Sequence, residues 1–111
     1  ITDAFISLDR HWCFTYLNQR AVRLLQRSPK SVLQQNFWEL FPEFLGTNLE
    51  RECRTAYDTY APSTFDEFYP SLKTWFEIRI FPTTNGLSIF LVDITQRQQA
   101  QAELLEMSTA L

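Results

Sequence analysis

Residues 75–97 read WFEIRIFPTTNGLSIFLVDITQR, and this stretch carries the clearest structural pattern in the sequence. Apolar and polar side chains alternate over residues 75–81, which is typical of a β-strand with one buried face. Residues 87–92 are rich in branched and aromatic side chains and predict a second strand. Asn85-Gly86 between them is typical of a tight hairpin turn in which both central residues take positive φ. The stretch therefore predicts an antiparallel hairpin.

Three more strand patterns lie upstream of this hairpin. Residues 4–9 and residues 12–17 predict two strands joined by a short polar turn. Residues 64–69 predict a third strand, which ends at Pro70-Ser71. Because the strands are grouped at the two ends of the chain rather than alternating with helices, they favour an α+β protein with an antiparallel sheet.

The residues between the two groups of strands predict helices. Asn18 and Ser28 each precede a short apolar segment and are typical N-cap residues, and residues 36–41 predict another single helical turn. Pro42 ends the third of these segments. The longest helix is predicted over residues 47–60, where a Thr-x-x-Glu capping box precedes apolar residues at helical spacing, namely Leu49, Cys53, Ala56, Tyr57 and Tyr60.

The end of the chain predicts a helix of a different kind. Thr95 and Gln98 form a second capping-box pattern. The residues that follow at heptad spacing are Arg97, Ala100, Leu104, Met107 and Leu111. Such a narrow seam favours a coiled coil, and the alternative is a helix that folds back on its own domain. We expect a domain over residues 1–95 and the start of a signalling or coiled-coil helix over residues 96–111.

Composition excludes several classes of protein. The chain has 111 residues, 45% of them hydrophobic, which is enough for one domain with a core. The net charge of −3 argues against a nucleic-acid partner, since phosphate binding requires a basic surface. No apolar run reaches the ~18–20 residues of a membrane span.

The absence of an initiator Met and a start within a strand pattern suggest a segment of a longer protein. Two cysteines without a disulfide pattern, Cys13 and Cys53, favour the cytoplasm.

Five motifs, in order, resemble those of PAS domains from bacterial sensor histidine kinases. They are Ile1-Thr2-Asp3-Ala4-Phe5-Ile6-Ser7-Leu8-Asp9, Trp12-Cys13-Phe14-Thr15-Tyr16-Leu17-Asn18, Asn36-Phe37-Trp38-Glu39-Leu40-Phe41-Pro42, Trp75-Phe76-Glu77-Ile78-Arg79 with Asn85-Gly86 after it, and Asp93-Ile94-Thr95-Gln96-Arg97. The resemblance covers nearly the whole chain. One departure is Trp12, which stands in a turn where many relatives have glycine.

The resemblance implies a fold and a place in signalling. The fold is a five-stranded antiparallel sheet of order 2-1-5-4-3, with short helices on one face and a C-terminal signalling helix. The domain would be a sensory and dimerisation module of a two-component system. It would relay a signal to a histidine kinase in the same chain, and the alternative effector is a diguanylate cyclase. We expect no membrane contact by this segment, while membrane attachment elsewhere in a longer protein is left open.

Catalysis has little support in the sequence. The single histidine, His11, lies two residues before Cys13, but no third group is present to orient them as a nucleophile pair. Only two glycines, Gly46 and Gly86, occur, so the sequence has no glycine-rich nucleotide loop. Asp66 and Glu67 alternate with aromatic residues and are expected on a solvated strand face. We expect no enzyme activity in this segment and no metal site.

The interior of the predicted sheet is apolar. By alternation and by resemblance, the residues that face the helices are Ile6, Leu8, Phe76, Ile78, Ile80, Ile89 and Leu91. Haem needs an axial ligand, and the predicted helix over residues 47–60 has neither His nor Met. Flavin needs polar groups on the inner face of the sheet, which these residues do not supply. We therefore expect no cofactor and a filled core, and the alternative is a pocket for an apolar small molecule.

The other sheet face predicts a partner surface, and the strand end predicts a signalling joint. The outward-facing residues are Trp75, Glu77, Arg79, Phe81, Phe90 and Val92, and Phe5 could extend their apolar stripe. An apolar stripe on an open sheet face usually marks an interface, here a homodimer, although a helix upstream of Ile1 could also cover it. The joint residues are Asp93, Ile94, Thr95 and Gln98. The Asp93 side chain can reach the backbone N–H groups that open the last helix, with Thr95 as cap and Gln98 returning its bond.

Overall fold

Five antiparallel strands form one sheet in the order β2-β1-β5-β4-β3. The computed structural model describes residues 3–110, with side chains for residues 3–105. The strands are β1 (Ala4–Asp9), β2 (Phe14–Leu17), β3 (Ser63–Tyr69), β4 (Thr74–Thr83) and β5 (Gly86–Asp93). The predicted fold class and strand order are confirmed.

The helices connect β2 to β3 and then extend the chain beyond β5. They are α1 (Gln19–Leu25), α2 (Pro29–Val32), α3 (Phe37–Leu40), a 3-10 turn (Pro42–Phe44), α4 (Asn48–Thr59) and α5 (Thr95–Ala110). The core lies between the sheet and α1, α3 and α4, where side chains such as Ala21, Phe37 and Cys53 are buried. Burial of this apolar area is the main stabilising contribution to a domain of this size.

The β4–β5 hairpin forms at the predicted place, but its loop residues and their backbone conformation differ from the prediction. Thr83 pairs with Gly86, so the two loop residues are Thr84 and Asn85. None of the residues from Thr83 to Gly86 has positive φ, which corrects the expectation for Asn85-Gly86. Gly86 is needed for another reason: a Cβ atom there would lie 1.9 Å from the carbonyl oxygen of Leu8 on β1.

The first hairpin turn is built around Trp12. This residue has a φ of 66°, so the strand predicted from residue 12 begins only at Phe14. The Asp9 carboxylate accepts hydrogen bonds from the backbone N–H groups of His11 and Cys13, at 2.8 and 3.0 Å. Many relatives have glycine in this turn, and the left-handed backbone conformation favours glycine. Here Trp12 takes that conformation.

Packing of the Trp12 ring compensates for this backbone conformation. The ring centroid lies 5.8 Å from that of Trp38 and 5.6 Å from that of Tyr57. The Arg54 guanidinium lies 5.3 Å from the Trp12 ring centroid and 5.4 Å from that of Trp38. These cation–π contacts connect the tip of the first hairpin to α3 and α4.

Helix caps agree only partly with the predictions. Asn18 caps α1 through its side chain, as predicted, but Ser28 and Thr47 make no side-chain cap bond. Asn36, which is not predicted as a cap, caps α3 through its side chain. Thr47 donates to the Phe44 carbonyl instead, and Glu50 accepts from the Gly46 N–H at 2.8 Å. The predicted apolar face of α4 is also shorter, since Leu49, Cys53 and Ala56 are buried while Tyr57 and Tyr60 are exposed.

The last helix is described as far as Ala110. Leu104 of the predicted heptad seam is 65% exposed, so the helix does not fold back on the sheet at this residue. The side chain of Met107 and the whole of Leu111, two further seam residues, lie outside the described residues. Within the described chain, no helix combines the length and the apolar character that crossing a membrane requires.

Candidate functional site

The inner sheet face has the composition expected from the sequence. Six of its seven predicted residues are at most 2% exposed, and Leu91 is half-buried. The six are Ile6, Leu8, Phe76, Ile78, Ile80 and Ile89. Strand register brings them together, because Ile6 and Ile80 both pair with Ile89, and Leu91 pairs with Ile78.

One apolar cavity lies behind this face. Its volume is about 10 Å³, and its wall includes Ile6, Phe37, Leu49 and Ile89. A cavity needs roughly 10–15 Å³ to hold one water molecule. The space between sheet and helices is therefore filled by side chains, with room for no more than one water-sized group.

Polar side chains on the inner side of β3 are a departure from the sequence-based expectation. Glu67 is expected on a solvated face, but it shares the inner side with Phe65 and Tyr69 and is half-buried. Its carboxylate accepts a hydrogen bond from the Tyr69 hydroxyl at 3.3 Å. Burial, and then the Glu67 carboxylate, raise the pKa of Tyr69. Residues 65, 67 and 69 are alternate positions of one strand, so the sequence already indicates that their side chains lie on the same face.

The outer sheet face carries a continuous row of aromatic rings. Phe5 contacts Phe90 with centroids 4.7 Å apart, Phe90 contacts Phe81 at 5.9 Å, and Phe5 contacts Tyr16 at 5.8 Å. We call Tyr16, Phe5, Phe90 and Phe81 the outer aromatic row. Phe81 and Tyr16 at its two ends are 43% and 52% exposed. The sequence pattern does not identify Tyr16, because exposure does not alternate along β2, where Thr15 and Tyr16 are both exposed.

The remaining predicted partner residues lie on the same face. Trp75 is exposed and contacts Phe68 across the strands at 5.8 Å, and Val92 is half-buried. Arg79 donates to the Glu77 carboxylate at 2.7 Å. Two of the outward-facing residues predicted from the sequence, Glu77 and Arg79, therefore form an ion pair within β4.

A second arginine joins this face from the last helix. Asp66 on β3 and Glu77 on β4 are direct cross-strand partners. Arg97 in the first turn of α5 contacts both carboxylates, at 3.1 Å for Asp66 and 3.6 Å for Glu77. We call Asp66, Glu77, Arg79 and Arg97 the charge cluster. It ties the beginning of α5 to the sheet.

The exit from the sheet is fixed by residues 93–98. The Asp93 carboxylate accepts the Thr95 N–H at 2.9 Å, as predicted for the contact between Asp93 and the helix start. Ile94 is buried, donates its N–H to the Trp75 carbonyl and accepts the Gln98 N–H, both at 3.0 Å. Thr95 is the first helical residue, so the predicted capping box of Thr95 and Gln98 is wrong, and Ile94 occupies the cap position.

The two groups considered for nucleophilic chemistry are not arranged for it. The Cys13 thiol donates to the backbone carbonyl of His11 at 3.8 Å rather than to its ring. Burial and the carboxylates of Asp9 and Glu39 raise the pKa of Cys13, which disfavours the reactive thiolate. Over residues 3–105, no group of three or more His, Cys, Asp or Glu side chains could hold a metal ion.

A family model decides the classification, since the model of the PAS fold matches residues 1–99. The chain belongs to the PAS family. No curated protein matches it in sequence. PAS domains are sensory modules of signalling proteins, and this chain is such a module.

Solved PAS structures share the fold at low identity. The PAS domain of the histidine kinase ThkA is 22% identical with a TM-score of 0.71, over 84% of this chain and 100% of that one. A sensory box sensor histidine kinase from Vibrio cholerae is 17% identical with a TM-score of 0.71, over 86% and 84%. The PAS domain of the quorum-sensing receptor RpfR from Cronobacter turicensis, in complex with BDSF, is 18% identical with a TM-score of 0.69, over 86% and 96%.

Proposed function

We propose that this PAS domain is a sensory and dimerisation module that relays a signal through Asp93-Ile94-Thr95 into α5, and from there to a histidine kinase in the same chain. In this proposal, residues 1–95 form the sensor and residues 96–111 begin the signalling helix. The domain acts in the cytoplasm as a homodimer, through the outer sheet face and α5. The effector follows from the resemblance and from the kinases among the structural neighbours.

The observation that carries the proposal is the attachment of the first turn of α5 to the sheet. Asp93 accepts the Thr95 N–H, Ile94 donates its N–H to the Trp75 carbonyl on β4, and Arg97 contacts carboxylates on β3 and β4. Three strands are thus connected to one helical turn. A small movement between these strands would change the direction or the register in which the helix leaves the sheet.

The outer aromatic row supports the dimerisation part of the proposal. An open antiparallel sheet face usually carries polar side chains, and here it carries adjoining aromatic rings instead. A second copy of the chain would bury this row by a face-to-face contact. Such a symmetric contact is self-complementary, as homodimer interfaces are.

A sensor for an apolar small molecule is the alternative function. The PAS domain of the quorum-sensing receptor RpfR is solved in complex with BDSF. In this chain the interior cavity measures about 10 Å³, so such a ligand would have to displace core side chains. The closed core therefore favours the signalling module.

The proposal is tested at Asp93 in the full-length protein. Asp93→Ala should change basal kinase output at temperatures where the domain remains folded, while Asp93→Asn keeps an acceptor for the Thr95 N–H and should stay closer to the parent. Asp58→Ala, at an exposed position on α4, is the matched control. Loss of a helix-start bond costs only ~0.5–2 kcal/mol, so folding can be maintained. If output falls only in proportion to the folded fraction, Asp93 is structural and the relay is wrong.

A further inference from the structure

A cleft of about 140 Å³ opens beside the exit joint, between α1 and the adjoining ends of β1, β4 and β5. We call it the joint cleft. Its charged wall consists of Asp3, Arg20 and Asp93, and its apolar wall includes Leu24, Phe76 and Leu91. At ~10–15 Å³ per water-sized group, the joint cleft has room for about ten such groups. It lies beside the interior cavity, and Leu91 belongs to the wall of both.

The charged side chains of the joint cleft are exposed, and hydrogen bonds fix the backbone beside two of them. The Asn18 side chain donates to the Asp3 carbonyl at 2.9 Å and accepts the N–H groups of Phe5 and Ala21, which fixes the beginning of β1 against α1. One oxygen of Asp93 accepts the Thr95 N–H. Within residues 3–105, the side chains of Asp3, Arg20 and Asp93 form no ion pair.

The arrangement of charge selects the kind of ligand. An anion would pair with Arg20 but meet two carboxylates, and a cation would pair with the carboxylates but meet Arg20. A small zwitterion satisfies both, with its carboxylate on Arg20 and its ammonium group on Asp3 and Asp93. Arginine is suited to the first role because its guanidinium binds a carboxylate through two parallel hydrogen bonds.

We propose that the joint cleft binds a small apolar amino acid. The aliphatic side chain would lie on Leu24, Phe76 and Leu91, while the α-carboxylate and α-ammonium groups bind the charged wall. A branched amino acid such as leucine is small enough to enter a cleft of about 140 Å³. The binding site does not depend on the proposed relay. Its regulatory meaning does, because the ligand would contact Asp93 while Asp93 holds the first N–H of α5.

Binding is tested with L-leucine and its two singly charged analogues. L-leucine titrated into the isotope-labelled chain should give saturable NMR shifts at the backbone amides of Arg20, Leu24 and Thr95. 4-Methylpentanoate lacks the ammonium group and isoamylamine lacks the carboxylate, so each should bind about tenfold more weakly or worse, as expected from loss of a charged hydrogen bond. Arg20→Gln should weaken leucine binding by a similar factor, while Arg23→Gln, on the same helix and outside the cleft, should leave it unchanged.

Several outcomes would overturn the site. No saturable shift at about 10 mM leucine would do so, since a millimolar Kd already gives high occupancy there. Equal affinity for leucine and either analogue would contradict recognition of a zwitterion. Equal affinity of the Arg20→Gln and parent chains would place the ligand elsewhere. The Asp93 output experiment is separate, so a failure of the cleft and a failure of the relay are distinguishable.

Discussion

The Arg97 guanidinium lies 3.1 Å from the carboxylate of Asp66, a residue 31 positions earlier in the chain. Asp66 and Glu77 face each other directly across β3 and β4, and like charges in such a pair are destabilising. Arg97 contacts both and reduces their repulsion. The position of α5 on the sheet is therefore partly electrostatic and should depend on salt.

Arg97→Gln should loosen the first turn of α5 while changing the free energy of unfolding by less than about 1 kcal/mol, the usual contribution of an exposed ion pair. Amide hydrogen exchange at residues 95–99 should be faster than in the parent, and high salt should reduce the difference. Arg51→Gln removes an exposed ion pair on α4 and is the control. Unchanged exchange at residues 95–99 in Arg97→Gln would show that the charge cluster does not hold the helix.

Phe90→Glu and Phe81→Glu should each weaken self-association and leave the domain folded. A carboxylate introduced into the outer aromatic row would have to be desolvated in a face-to-face dimer. Sedimentation equilibrium measures the effect. Leu45→Glu places the same charge at an exposed apolar residue away from the sheet face and should associate like the parent. If all three variants associate equally, the dimer uses another surface.

Ile78→Ala should lower the free energy of unfolding by roughly 2–5 kcal/mol, because Ile78 is fully buried in a packed core. Urea unfolding gives the value. Leu45→Ala, at a side chain that is 46% exposed, should cost far less. A loss well below 1 kcal/mol for Ile78→Ala would mean that space already exists at this position, and the apolar-ligand alternative would gain support.

The two glycines should respond differently to the same substitution. Gly86→Ala places a Cβ 1.9 Å from the Leu8 carbonyl oxygen, so β5 and β1 would have to separate, and we expect a loss of several kcal/mol or failure to fold. Gly46 has a φ of 79°, and a Cβ added there would have no atom within 4 Å, so Gly46→Ala should cost only about 1 kcal/mol of backbone strain. Thermal unfolding of both variants checks this order, and equal losses would contradict it.

Stability should fall at alkaline pH partly through Cys53. Burial raises the pKa of this thiol from its ordinary value of 9.0 to about 12. The unfolded chain therefore loses its proton first, so stability is fully present below pH 9 and declines as pH rises towards 12. Urea unfolding at about pH 8 and about pH 10 should show a smaller decline in Cys53→Ala than in the parent. An equal decline would assign the effect to other groups, such as Tyr69.

The sequence predicts what depends on local pattern and misses what depends on distant partners. Alternation over residues 75–81 identifies β4 and the inner-face residues on it, because strand parity is a local property. The contact of Arg97 with Asp66 could not be predicted, since no periodicity relates a helix turn to a strand in another part of the chain. Two predictions for Glu67 disagree even within one strand. Its charge predicts exposure to solvent, while its position two residues before Tyr69 predicts the inner face, where it lies.

The backbone conformation at Trp12 and at the start of α5 could not be predicted from the neighbouring sequence either. Trp12 has positive φ because its ring packs with Trp38, Tyr57 and Arg54, which are brought together only by the fold. Ile94 occupies the cap position of α5 although its side chain cannot cap, because Asp93 supplies the acceptor from the preceding position. In both cases tertiary contacts outweigh the residue's own preference.

The strand order has a consequence for how the domain is made. β1 and β5, the first and last strands, are neighbours in the middle of the sheet. During synthesis the sheet cannot close until residues 86–93 have left the ribosome, and contacts between such distant segments form slowly. The residues that hold α5 follow within the next few positions. A helix attached in this way becomes anchored only on a domain that has finished folding, so an effector joined to it would receive its input from completed sensors alone.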